Sequence, residues 1–98
     1  MVQFAWMKEH YPEFYGRLKG AIKEGKFSPV GGTWVEMDTN VPSGEAMIRQ
    51  FVYGRQFYRR EFGVESEILW LPDTFGYSGQ LPQVSTELSR TYKLQGWP

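Results

Sequence analysis

The sequence predicts an α/β fold, in the form of a partial βαβ unit that belongs to a larger sheet domain. Residues 33–35 resemble a short strand, residues 44–62 have the apolar spacing of a long helix, and residues 68–71 are continuously apolar. A short apolar run suits a strand buried on both faces, and the order strand, helix, strand indicates a parallel pair. Residues 27–30 are a weaker strand candidate, because Pro29 lacks a ladder donor. Since such crossovers are nearly always right-handed, we expect both strands to end at one rim.

Helix boundaries are marked by capping residues and by proline. Residues 2–9 are predicted to be helical, and Pro12 suits the first turn of a second helix that stops at Gly25. Ser43 is the expected N-cap of the long helix, and Gly63 its expected end.

Composition narrows the class of protein. The chain has 98 residues, 11 basic and 11 acidic, and this balance argues against nucleic acid or an anionic membrane as the main partner. The absence of cysteine excludes disulfides and thiolate metal sites. No signal peptide or membrane-spanning stretch is evident, which fits the cytosol. With a single histidine, a closed zinc site within the chain is not expected, so any metal would be shared with residues outside it.

The strongest candidate for a catalytic residue is Asp73, which lies in the segment WLPDTFGYSGQLPQ at residues 70–83. It follows the apolar segment and precedes a glycine-rich aromatic loop, the position at which α/β folds place catalytic groups. A carboxylate there can act as nucleophile, base or metal ligand. Composition alone favours an ordinary turn aspartate. The neighbouring Phe75 and Tyr77 favour a functional loop, because large apolar side chains in a loop need to be explained either by burial or by contact with a ligand.

A second acidic group lies beside Trp34, where Glu36 and Asp38 follow the first predicted strand. Glycoside hydrolases use a pair of carboxyl groups, and an aromatic ring nearby is suited to packing against a sugar. A solvated loop explains the two charges equally well. Trp34 is either a core residue or the wall of a substrate site, and of the four tryptophans it is the best candidate for such a wall.

These segments resemble the class II α-mannosidases, glycoside hydrolase family 38, in their cytosolic and fungal vacuolar branch. The resemblance is carried by GGTWVEMDTNVPSGEA at residues 31–46, by RQF at 49–51 and by the run at 70–83. It implies a segment of the N-terminal catalytic domain, a seven-stranded-type α/β barrel-like fold in a much longer chain. It also implies retaining hydrolysis of terminal α-linked mannose in oligosaccharides, and leaves open a homo-oligomeric full-length enzyme.

The resemblance gives roles to particular residues. The aspartate that matches Asp73 is the nucleophile and a ligand of the divalent metal, Zn²⁺ or Co²⁺. Phe75 matches an aromatic residue that lines the mannose site, and the acidic loop that matches Glu36 and Asp38 lies near the sugar-binding pocket. Together with Trp34, the candidate wall chosen from the residues alone, these are the residues to which we assign substrate binding.

The chain also departs from the family pattern. The upstream His-x-Asp metal motif, the general acid and the remaining histidine ligand lie outside it. We therefore divide the chain into residues 1–83, the catalytic-domain segment, and 84–98, a divergent tail in which residues 86–94 form a possible helix. The isolated chain is expected to be inactive. The alternative function is a small non-catalytic domain that binds carbohydrate or protein.

Overall fold

The computed structural model describes residues 1–66 and 68–94. Its helices are α1 (Val2–His10), α2 (Pro12–Lys23), α3 (Gly44–Phe62) and α4 (Leu81–Leu94). Helix α2 packs against α1 and α3, and α4 packs against α3. Within the described residues there is no strand or sheet, and β pairing is limited to one parallel bridge between Gly31 and Leu69. The predicted α/β class, with its partial βαβ segment, is therefore wrong: the described chain is helices and loops. No helix in this part of the chain is long and apolar enough to cross a membrane.

The bridge does not extend because the backbone beside it leaves the β region. Gly31 donates to the Ile68 carbonyl and accepts from the Trp70 N–H, both at 3.2 Å. However, φ is +116° at Gly31 and +82° at Gly32, far from the negative values of a strand. The two chains therefore meet at one position and diverge.

Residues 33–35 direct their backbone groups to helices instead of a neighbouring strand. The Trp34 N–H donates to the Gln50 carbonyl of α3 at 2.9 Å, and the Trp34 carbonyl accepts from Val2 N–H at 3.0 Å. The Val35 N–H donates to the Gln50 side chain at 2.9 Å. Since buried backbone groups need partners, these bonds replace the ladder that the sequence pattern predicts.

The predicted boundaries of α1, α2 and α3 agree closely with the structure. Ser43 caps α3 by accepting from the Ala46 N–H at 3.1 Å, and Gly63 ends it in the left-handed region at φ +66°. Helix α4 begins at Leu81, five residues before the predicted start at residue 86. The predicted tail boundary falls inside α4 and stays a prediction, and residues 95–98 of that tail lie outside the described residues.

The buried side chains anchor the loops between the helices. An apolar cluster joins α3 and α4 to the loop before α3 and to the loop between α3 and α4. It consists of Met37, Met47, Phe51, Leu71 and Leu81. Met37 lies between the two acidic residues of the first loop, and Leu71 lies two residues before Asp73. The core therefore fixes the backbone on which the candidate site residues stand.

A polar contact joins helices α1, α2 and α3. The Glu61 side chain of α3 is 7% exposed and accepts from Lys8 Nζ of α1 and from Tyr15 Oη of α2 at 2.8 Å. Burial raises the pKa of Glu61. The hydrogen bonds from Lys8 and Tyr15, together with the charges of Lys8 and Lys19, outweigh burial and hold the pKa below its usual 4.5. The ionised carboxylate is thus part of the folded state.

Candidate functional site

Asp73 stands in an exposed turn, two residues after the buried Leu71 and next to the exposed Pro72. Its backbone N–H donates to Glu36 Oε1 at 2.7 Å. Among the described residues its carboxylate has no hydrogen-bond or ion-pair partner. The structure thus brings two of the predicted site residues together, with the backbone of Asp73 held and its carboxylate available to a ligand.

Asp38 is engaged in its own loop. Its Oδ1 accepts from the Asn40 N–H at 2.7 Å and from the Val41 N–H at 3.0 Å. These two bonds hold the pKa of Asp38 below its usual 3.8, because they stabilise the ionised form. Asp38 is therefore a loop-forming carboxylate, and Glu36 is the member of the acidic pair that reaches Asp73.

Thr39 is a residue that sequence reasoning missed. It is 2% exposed, and its hydroxyl accepts from the Ser78 N–H at 2.8 Å. The same hydroxyl donates to the Gly76 carbonyl at 3.4 Å. It therefore joins the acidic loop to the loop after Asp73. No sequence signal marks it, because a threonine between two polar loop residues predicts exposure.

A cavity of about 420 Å³ lies beside Glu36. Its walls include Trp6, Thr33, Trp34, Glu36 and Trp70. Trp34 is half-buried and packs edge-to-face on Phe57 with ring centroids 5.6 Å apart, so it belongs to both the core and the cavity wall. Asp73 is not a lining residue. Glu36 connects the two features, since it lines the cavity and binds the Asp73 backbone.

A second hollow of about 410 Å³ lies between α1 and α2, lined mainly by Trp6, Met7, Tyr11 and Phe14. It is almost wholly apolar and has no carboxylate. Polar groups of a ligand need hydrogen-bonding partners when they are desolvated, so we place the candidate site at Glu36 and Asp73.

Phe75 lies fully exposed in the loop after Asp73 and does not line the cavity. The loop is closed behind it by Tyr77, whose hydroxyl donates to the Leu71 carbonyl. Phe75 is therefore presented outward, as a ring available for stacking.

The metal-ligand set predicted for the family is not assembled by this part of the chain. Among residues 1–66 and 68–94, no three His, Cys, Asp or Glu side chains come together as a metal site. The exposed Asp73 carboxylate is suitable as one oxygen ligand. The described residues alone do not complete a coordination sphere.

Comparison with known proteins defines the class. Residues 1–95 match the glycosyl hydrolases family 38 N-terminal domain. The chain belongs to this family, as its sequence motifs predicted.

The similar proteins are α-mannosidases. The chain is 59% identical to alpha-mannosidase G of Dictyostelium discoideum over 81 residues, 83% of its own length. It is 57% identical to human alpha-mannosidase 2C1 over 82 residues, and 54% identical to the alpha-mannosidase of Saccharomyces cerevisiae over 83 residues, each 84% of the chain. The matched region is 8% of the length of each relative.

Proposed function

We propose that this chain is a catalytic-domain segment of a retaining α-mannosidase, with Asp73 as the nucleophile of the complete enzyme. The substrate would be terminal α-linked mannose in an oligosaccharide. The observation that carries the proposal is the Asp73 carboxylate, exposed and without a partner in the described chain, on a backbone held by Glu36 at 2.7 Å. The names of the similar proteins support the substrate class.

In the proposed reaction, Asp73 attacks the anomeric carbon and forms a covalent glycosyl-enzyme. A second carboxylic acid, supplied from outside this chain, protonates the leaving oxygen and then activates water. The proposed role of Asp73 as a nucleophile requires its ionised form.

We propose that Asp73 is also one ligand of a divalent metal, Zn²⁺ or Co²⁺, whose other ligands lie outside the chain. A bound dication would favour the ionised carboxylate and would offer a Lewis acid to sugar hydroxyls.

Sugar binding would involve four further residues. The Trp34 wall and the Glu36 carboxylate already border one cavity, which suits an apolar sugar face and a hydroxyl respectively. Phe75 would supply a second stacking surface. Asp38 would act through its remaining oxygen, because Oδ1 is occupied by two backbone donors.

The nucleophile assignment is tested in the full-length enzyme with Asp73→Asn. We expect kcat on an aryl α-mannoside to fall by at least about 10³-fold. Glu45→Gln is the matched control: it also replaces a carboxylate by an amide, at an exposed site on α3, and should leave kcat unchanged. A fluorinated mannoside that accumulates the glycosyl-enzyme should add one sugar mass to the wild type and none to Asp73→Asn. Full activity of Asp73→Asn would exclude the assignment.

The isolated 98-residue chain is predicted to be inactive, since it supplies one of several required groups. Hydrolysis of an aryl α-mannoside by the purified chain with Zn²⁺ or Co²⁺ present would contradict this. For the full-length enzyme we propose a cytoplasmic location, or a vacuolar one in a fungus, to be checked by cell fractionation.

The second candidate function is a non-catalytic domain that binds carbohydrate or protein. The exposed rings of Trp70 and Phe75 favour it, because aromatic faces on a surface suit stacking. Titration of the 98-residue chain with mannose, followed by tryptophan fluorescence, separates the two. Saturable binding without turnover that persists in Asp73→Asn would support the binding domain.

A further inference from the structure

We infer that Thr39 is a positioning residue for the nucleophile loop, an inference that rests on the proposed function of Asp73. Its hydroxyl fixes residues 73–78 against the acidic loop. The side chain is 2% exposed, so solvent cannot replace its bonds. The hydroxyl uses both of its capacities, accepting from the Ser78 N–H at 2.8 Å and donating to the Gly76 carbonyl at 3.4 Å.

The loop that carries Asp73 is thereby held at both ends. Glu36 binds the backbone N–H of Asp73 at the start of the loop, and Thr39 binds the Ser78 N–H at its end. Both holding residues lie on one short segment that is anchored in the core through Met37. Displacement of either contact would therefore move the loop relative to the core.

The loop behaves as one unit because it is closed on itself. The Tyr77 hydroxyl donates to the Leu71 carbonyl, and the Thr74 hydroxyl donates to the Gly76 carbonyl at 3.2 Å. Because of these bonds, fixing the position of Ser78 also restricts the position of Asp73. Catalysis by a nucleophile needs its oxygen about 3–3.5 Å from the reacting carbon, and a misplacement of about 1 Å can lower the rate about 100-fold.

The test compares two substitutions in the full-length enzyme. Thr39→Val keeps the shape and removes the hydroxyl, so the Ser78 N–H loses its partner. Thr39→Ser keeps the hydroxyl. We expect Thr39→Val to lower kcat about 10- to 100-fold with KM changed less than about 3-fold. Thr39→Ser should restore kcat to within about 3-fold of the wild type. Wild-type kcat in Thr39→Val, or an equal loss in both variants, would overturn the inference.

A second variant keeps the test decisive if Thr39→Val does not fold. Tyr77→Phe opens the closed loop at a side chain that is 54% exposed, where loss of a hydroxyl is tolerated. It should also lower kcat with little change in KM, and an unchanged kcat would contradict the single-unit loop. Asp73→Asn, measured in parallel, separates the two hypotheses. If Asp73→Asn is inactive while Thr39→Val is fully active, only the positioning role of Thr39 is refuted. If Asp73→Asn is active, the proposed function of Asp73 is refuted.

Discussion

Replacing Gly54 by alanine should force apart two backbone segments that now touch. A Cβ at this position of α3 would lie 2.7 Å from the Thr33 carbonyl carbon and 2.8 Å from the Trp34 backbone nitrogen. Non-bonded carbon atoms pack best at about 3.5–4.0 Å, so the segments must separate by about 0.8 Å or more. The Cβ would also lie 2.6 Å from Met1 Sδ, but that flexible side chain can move aside.

Three terms determine the expected change in the free energy of unfolding, one stabilising and two destabilising. Alanine is favoured over glycine inside a helix by about 1 kcal/mol. Overpacking against backbone costs about 1–3 kcal/mol. The separation also stretches the 2.9 Å bond from Trp34 N–H to the Gln50 carbonyl, which is worth about 1 kcal/mol. Gly54→Ala should therefore lower the free energy of unfolding by about 1–3 kcal/mol.

Urea unfolding of the 98-residue chain, followed by circular dichroism, measures this change. Gly16→Ala is the matched control: a Cβ on Gly16 in α2 meets nothing within 4 Å, so it should stabilise by about 0.5–1 kcal/mol. Since Thr33 and Trp34 line the cavity, Gly54→Ala should also change the tryptophan emission of the folded chain. If Gly54→Ala stabilised the chain as much as Gly16→Ala does, the close approach would be refuted.

Three further predictions concern other contacts. Ser43→Ala removes the α3 cap and should lower the free energy of unfolding by about 1 kcal/mol, measured by urea unfolding; an unchanged midpoint would contradict the capping bond. Gly76→Ala places a side chain at φ +137° and 3.1 Å from Asn40 Nδ2, which should cost about 1–3 kcal/mol, whereas Gly79→Ala, with open space around it, should be near neutral. Because folding lowers the pKa of Glu61 from 4.5, its stabilisation should be complete above about pH 4.5 and lost as pH falls through the folded-state pKa; Glu61→Gln should remove that part of the acid dependence.

The helices could be predicted from sequence because their signals are local. Ser43 caps its own helix three residues away, and Gly63 adopts the left-handed conformation that ends it. Pro12 likewise starts α2 through its own fixed backbone angle. In each case a short stretch of chain determines the boundary.

The strands were predicted wrongly because an apolar run does not specify what its backbone will bind. The donors of Trp34 and Val35 find partners on Gln50 of α3, 15 and more residues away in sequence. The positive φ angles of Gly31 and Gly32 then limit pairing to one bridge. The apolar character of residues 33–35 reflects packing against a helix, which gives the same composition as a strand.

The different contacts of Glu36 and Asp38 could not be predicted from the sequence. Glu36 and Asp38 are equivalent by type and spacing, yet one binds the backbone of Asp73 and the other binds its own loop. Two backbone N–H groups already satisfy one oxygen of Asp38, so its charge is partly committed to holding the turn. Glu36 has the longer side chain and an adjacent cavity, so a change there affects both the backbone of Asp73 and the cavity wall. Glu36→Gln, which keeps an oxygen acceptor, should raise KM more than it lowers kcat, whereas Glu36→Leu, which removes the acceptor, should both lower kcat and raise KM.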